Sequence, residues 1–190
     1  MKKTIVAVMV AASAVLSTQA LALNTAQVVI NGKVTDAQNS CNVIPDSSSA
    51  AVKGVLSLDD ITDATLDQLA DNTLAAAYTK KVAWRVSDCQ NGGVAATGLQ
   101  VAFTGSHAVN ANILDNEASD KALGVGLGML KTGTSNRVTF DGTKVAQAYN
   151  GNPVVLAYDV SYVKLPGASI AGTSLTKGDV KGVATLTISY

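Results

Sequence analysis

The chain has 190 residues, and its 14 Lys and Arg residues balance its 14 Asp and Glu residues, so its formal net charge is zero. A chain without an excess of basic residues lacks the charge pattern that nucleic-acid binding requires, so we expect no nucleic-acid partner. Hydrophobic residues make up 47% of the chain and charged residues only 15%, which is enough apolar material for the core of one domain.

The first segment has the pattern of a secretory signal peptide. Lys2-Lys3 precede an uncharged run over residues 4–22, and this run ends in Ala20-Leu21-Ala22, with small residues at the spacing of a cleavage site. Its apolar part is too short for a membrane-spanning helix. We therefore expect residues 1–22 to be removed on export, leaving a single domain that begins at Leu23.

The chain contains two cysteines, Cys41 and Cys89, and both fall in the expected mature part. They are too far apart in the sequence for Cys-x-x-Cys chemistry. In an exported protein an even pair favours a structural disulfide over half of a metal site or a redox centre. Two buried free thiols are the alternative.

Most of the mature chain alternates apolar and polar residues at the period of a β-strand, with turn residues between the runs. Such a pattern predicts an antiparallel β-sandwich or barrel. The Asp141-Gly142 pair adds a strong hairpin signal. The expected strands cover residues 26–30, 82–86, 99–103, 123–129, 138–140, 154–163 and 180–190.

The acidic segment over residues 57–77 departs from the strand pattern. It predicts either one or two short helical turns or a loop packed over the ends of the sheets. Asp63, Asp67 and Asp71 would share one helical face, but the segment lacks the turn glycine and the bidentate Glu of a calcium loop. We therefore interpret these aspartates as a solvated acidic face.

Few residues could support catalysis. His107 is the single histidine, and it lies in the turn-like Gly105-Ser106-His107, so a zinc site or a catalytic triad has little support. The glycines over residues 124–128 alternate with apolar residues at strand period, which differs from a phosphate-binding loop followed by a helix. We interpret them as small residues that let another element approach closely. We expect neither an enzyme nor a cofactor.

Four stretches of the chain resemble chaperone–usher pilus subunits, close to the type 1 fimbrial major-subunit family. The last stretch is the most specific, because Gly178 precedes Tyr190 by the twelve positions of the family's C-terminal motif. The family tyrosine is usually penultimate, whereas Tyr190 is the last residue. The four stretches are residues 28–34 with Cys41-Asn42-Val43, residues 82–89, residues 99–105 and residues 178–190.

The resemblance implies an all-β, immunoglobulin-like β-sandwich that lacks its final strand and is completed by donor-strand exchange. A periplasmic chaperone fills the open groove first, and the N-terminal extension of the next subunit then replaces it. By the same match, residues 23–31 form the donor strand, with Ala26, Val28 and Ile30 pointing into the groove of a neighbour. The groove and the chaperone-binding C-terminal strand would comprise Gly178, Val180, Ala184, Leu186, Ile188 and Tyr190.

These expectations lead to a functional hypothesis. The domain over residues 23–190 would be a structural fimbrial subunit that reaches the cell surface through the periplasm and serves bacterial adhesion. Its partners would be other subunits in a homopolymer, a periplasmic chaperone and an outer-membrane usher. The alternative is a self-contained periplasmic or surface β-sandwich that binds a ligand.

Overall fold

The computed structural model describes residues 26–32, 40–108 and 110–190. The expected signal peptide and residues 23–25 of the expected donor strand lie outside these ranges. Within them, no helix is long and apolar enough to cross a membrane. The elements in chain order are β1 (Ala26–Gly32), β2 (Asn42–Pro45), β3 (Val55–Leu58), α1 (Asp63–Asp67), a 3₁₀ turn (Ala76–Tyr78), β4 (Lys80–Ser87), β5 (Gln90–Asn91), β6 (Val94–Ala95), β7 (Gly98–Gly105), β8 (Val125–Lys131), β9 (Val145–Ala148), β10 (Val154–Lys164) and β11 (Val180–Ser189).

The strands form two main sheets. One has the order β3-β1-β11-β7-β9, the other has the order β2-β4-β10-β8, and β5 and β6 make a separate small hairpin. The two main sheets pack face to face as a sandwich. The expected all-β, immunoglobulin-like sandwich is therefore confirmed.

The core lies between the sheets, and most of its buried strand residues come from β4, β7, β8, β10 and β11. In β4, Val82 and Val86 are buried, whereas Arg85 faces solvent. Phe103 of β7 meets Tyr158 of β10 edge to face, with the ring centroids 5.0 Å apart. Edge-to-face contacts of this kind stabilise the packing of the sheets by more than the burial of apolar area alone would.

The glycines of β8 allow the close approach that the sequence indicates. A Cβ at Gly126 would lie 2.6 Å from Ile113 Cγ2, and one at Gly128 would lie 2.6 Å from a guanidinium nitrogen of Arg137. Gly124 has a φ of +73° and belongs to the turn before the strand. For this reason β8 begins two residues later than the expected strand over residues 123–129.

The prediction of a strand over residues 138–140 was wrong. The N–H of Val138 donates to the carbonyl of Met129, but the N–H of Phe140 donates to Ala111, so no continuous ladder forms. The stretch crosses from one sheet toward the other. Asp141 then accepts a hydrogen bond from the N–H of Thr143, forming an Asx turn that leads into β9, a strand that the sequence analysis did not identify.

The acidic segment contains a helix, which confirms one of the two expected structures. Thr62 caps α1 by accepting a hydrogen bond from Thr65 N at 3.1 Å, and the helix ends at Asp67. Two of the aspartates do more than face solvent. Asp67 accepts from Ile170 N and Asp71 from Gly167 N, so their carboxylates hold the loop over residues 167–170.

Cys41 and Cys89 form the expected disulfide. It links the residue before β2 to the segment after β4, the strand with which β2 pairs. Tyr149 supports this corner, because its hydroxyl accepts from Cys89 N at 3.2 Å. The disulfide therefore anchors β2, the edge strand of the smaller sheet, beside β4.

Candidate functional site

The first strand occupies a slot within the larger sheet of its own chain. β1 lies between β3 and β11, and it runs antiparallel to β3 but parallel to β11. Every other pairing between named strands of the described ranges is antiparallel. The register sets Ala26 opposite Val180 and Ile30 opposite Ala184. The expected donor strand and groove thus meet within one chain.

Both edges of β1 are bonded, so the strand is central to the sheet. Without it, one edge of β3 and one edge of β11 would expose unpaired N–H and C=O groups. Such open edges readily accept another strand. In the structure these main-chain groups of β3 and β11 bond to β1 of the same chain.

The side chain of Val28 is fully buried in the slot. Its register partners are Gly182 of β11 and Leu56 of β3. A Cβ at Gly182 would lie 3.0 Å from Leu127 Cδ1 and 3.3 Å from Leu114 Cβ. The bare backbone at Gly182 therefore lets the opposite sheet pack closely below the slot, next to the point at which Val28 enters.

The C-terminal strand has the alternation that the sequence predicts. Val180, Ala184 and Leu186 are buried, and Ile188 and Tyr190 are partly buried against the same core. Val180, Ala184 and Leu186 therefore form an apolar face along the part of β11 that pairs with β1, and Ile188 and Tyr190 continue it beyond the end of that ladder.

Gly178 precedes β11 and has a direct steric role. Its φ is +151°, and a Cβ there would lie 2.5 Å from Ala122 N and 2.6 Å from the Asp120 carbonyl oxygen. Asn116 holds the same junction, because its amide nitrogen donates to the carbonyls of Ala122 and Asp179. Asn116 was not among the predicted site residues, because its role depends on contacts that are distant in the sequence.

A cavity of about 360 Å³ opens where β11 begins. Val180, which pairs with Ala26, belongs to both the slot and this cavity. The apolar part of the cavity wall includes Ile61, Leu66 and Tyr162. The charged residues that line the cavity are Asp60, Asp63 and Lys177. Burial and the carboxylates of Asp60 and Asp59 raise the pKa of Tyr162, so its hydroxyl stays neutral and donates to the Asp59 carbonyl at 2.9 Å.

β3, which borders the slot, was not among the expected strands. Leu56 and Leu58 are buried, while Ser57 between them is exposed. The alternation was visible in the sequence, but the strand is only four residues long and runs directly into the acidic segment.

The remaining candidate residues take no part in the slot. His107 is partly buried in its turn, with Nδ1 2.8 Å from the carbonyl oxygen of Gly105. In the part of the chain that the structure describes, no group of three or more His, Cys, Asp or Glu residues is placed to hold a metal ion.

Comparison with known proteins identifies the fold. A scan against protein-family models gave no match, and neither did a search of curated proteins. Among solved structures, the chain is similar to the P pilus rod subunit PapA, with a TM-score of 0.54 and 18% identity over 79% of this chain and 98% of that one. It is also similar to a subunit in the structure of a chaperone–usher pilus that addresses rod uncoiling, with a TM-score of 0.51 and 21% identity over 84% of this chain and 91% of that one. The chain thus has the fold of chaperone–usher pilus subunits.

Proposed function

We propose that this chain is a structural subunit of a chaperone–usher fimbria, which polymerises by donor-strand exchange into a fibre used in bacterial adhesion. The observation that carries the proposal is the position of β1, an N-terminal strand bonded on both edges in a slot with an apolar floor. A strand near one end of a chain can leave such a slot while β11, β7 and β9 keep their pairing. The same strand from another copy can then enter it.

In this proposal Ala26, Val28 and Ile30 are the donor residues, and the inner face of β11 is the acceptor. A periplasmic chaperone would occupy the slot before assembly, and an outer-membrane usher would receive the subunit. Residues 1–22 would direct export, and the domain over residues 23–190 would reach the cell surface. The fold shared with a pilus rod subunit supports the role of a fimbrial subunit.

The direction of β1 gives a reason for exchange to favour a fibre. Within one chain, β1 runs parallel to β11. A strand from a second molecule is free of that connection and can enter antiparallel to β11. Such a strand would pair antiparallel with β11, along the longer ladder of seven residue pairs, and parallel with β3, along the shorter ladder of four. Because antiparallel pairing is slightly more stable per residue, the longer ladder favours the intermolecular strand.

A two-variant complementation experiment tests this function. Val28→Asp puts a carboxylate at a fully buried position and should disable the donor strand. Gly182→Val adds atoms where even a Cβ is tightly packed and should block the acceptor slot. Neither variant should polymerise alone. When they are refolded together, the intact strand of one should enter the intact slot of the other, giving a 1:1 heterodimer that grows no further.

Val29→Asp is the matched control for the donor variant, because Val29 is a half-buried neighbour in the same strand. Refolded by itself, it should still form polymers. Size-exclusion chromatography with mass measurement distinguishes these products. If Val28→Asp and Gly182→Val stay monomeric in every mixture, the chain is a closed module and strand exchange is excluded.

The intramolecular position of β1 also favours the second candidate, a self-contained β-sandwich that binds a ligand. In that case β1 would be an ordinary integral strand. The heterodimer separates the two functions, since a self-contained sandwich has no reason to exchange strands with a second variant.

A further inference from the structure

We infer that β3 is a conditional strand, which joins the sheet only while a strand occupies the slot and loses its order when the slot is empty. The inference rests on the proposed function, because it requires that the slot can be vacated. It assigns to residues 55–58 the role of a clamp that closes over the incoming strand.

The pairing of β3 is the first observation. Among the strands that the structure describes, β3 bonds only to β1, and it forms the outer edge of the sheet. The other main-chain bonds of this stretch are local. Val52 and Val55 exchange N–H···O bonds across the turn at Lys53 and Gly54, which have φ values of 51° and 79°. No neighbouring strand would therefore hold β3 in the sheet after β1 leaves.

The two flanks of β3 are held independently of β1. On one side, the N–H of Ala50 donates to the carbonyl of Lys81 at 2.8 Å, which attaches the chain to β4. On the other side, the backbone carbonyl of Asp59 accepts a hydrogen bond from the Tyr162 hydroxyl. The Asp59 carboxylate also forms an ion pair with Lys80 at 2.6 Å. Residues 51–58 are thus a short segment tethered at both ends, which can move while the rest of the sandwich stays folded.

These tethers also oppose direct pairing of β3 with β11. Neighbouring strands lie about 4.8 Å apart, so β3 would have to move by about that distance to replace β1. Its flanks are bonded to β4 and β10. These bonds hold β3 far enough from β11 to leave room for one strand between them. Leu56 and Leu58 are buried beside β1, at the register positions of Val28 and Ala26, and lose this neighbour when the slot empties.

A β3 that closes over a bound strand would make strand exchange hard to reverse. An incoming strand first meets the edge of β11, which is part of the folded sheet. It then orders β3, which bonds to its second edge. After this closure, a departing strand must break both sets of main-chain bonds, so the release of a bound strand should be slow compared with its entry.

Native-state hydrogen exchange of the full chain at low denaturant concentration tests the inference. We expect amides of residues 55–58 to become exposed in the same partial opening as those of residues 26–32, while β10 exchanges only by global unfolding. If β3 keeps the protection of β10 when β1 opens, the inference is wrong, although the proposed function stands. If β3 opens before β1, it is merely a fraying edge, and the inference is again overturned. If β1 exchanges only with β10, the proposed function also fails.

The Val28→Asp variant, compared with Val29→Asp, gives a second test. The first should lose protection in residues 26–32 and 55–58 by similar factors, and the second should retain it in both. Adding a peptide that copies residues 23–35 should restore protection of residues 55–58 in Val28→Asp. Equal protection of β3 in the two variants, without peptide, would contradict a clamp that depends on the slot.

Discussion

At the scale of single residues, two glycines near the C-terminus have steric roles that cannot be inferred from the sequence. Gly178 gives the loop over residues 120–122 access to the start of β11, and Gly182 lets the opposite sheet pack closely below the slot. The family resemblance placed Gly178 in the acceptor region but gave no reason for it. The reason is close contact between segments far apart in the sequence, which spacing alone cannot predict.

Replacing Gly178 should be more harmful than replacing a glycine with a similarly unusual backbone. Gly178→Ala combines a positive φ with contacts of about 2.5 Å to backbone atoms, so we expect a loss of about 1–3 kcal/mol in the free energy of unfolding. Gly151 has a φ of +89° and no atom within 4 Å of an added Cβ. Urea denaturation of Gly178→Ala and Gly151→Ala should therefore show a larger loss for Gly178→Ala, and equal losses would contradict the steric role.

At the scale of elements, the longer strands were predictable and the shortest were not. β4, β7, β10 and β11 have enough alternating residues for their period to stand out. β3 and β9 have four residues each, and their pairing partners decide whether they are strands at all. The stretch over residues 138–140 has the composition of a strand, but its hydrogen bonds go to different segments.

The disulfide is the element-scale feature with the clearest energetic consequence. It closes a loop with a sequence separation of 48 residues and fixes β2 beside β4. On the chain-entropy model, removing it by Cys41→Ser with Cys89→Ser should lower the free energy of unfolding by roughly 4 kcal/mol. Thermal unfolding measures the loss. Reductant should lower the Tm of the native chain and leave that of the double variant unchanged; an unchanged Tm in the native chain would contradict a stabilising role.

At the scale of the whole molecule, one buried tyrosine and one exposed aspartate predict the pH range of stability. Burial raises the pKa of Tyr158 from 10.0 to about 12. The folded state therefore favours the neutral phenol, so this contribution is complete below pH 10 and is lost as the pH rises toward 12. At the acid side, hydrogen bonds from Thr143 and Thr139 lower the pKa of Asp141 to about 2. That contribution is present above pH 3.8 and is lost as the pH falls toward 2.

The Tyr158→Phe variant tests the predicted loss of stability at alkaline pH. It removes the titrating hydroxyl but keeps the ring that packs against Phe103. The Tm of the variant should fall less steeply than that of the native chain between pH 10 and pH 12. At pH 7 the Tm values of the two should differ little, because within the described ranges no hydrogen bond of this hydroxyl supports the core. Parallel Tm profiles across the alkaline range would show that Tyr158 does not control this loss of stability.

By itself, the sequence determined the all-β class, the faces of the long strands and the cysteine pair, because these depend on local periodicity and on residue type. Only the tertiary structure decided that β1 lies parallel to β11 in its own chain, that β3 borders the slot and that Gly182 lets the sheet below it pack closely. Strand order and direction arise from contacts between distant segments. Alternation specifies which face of a strand is buried, but not which strand lies beside it or in which direction that neighbour runs.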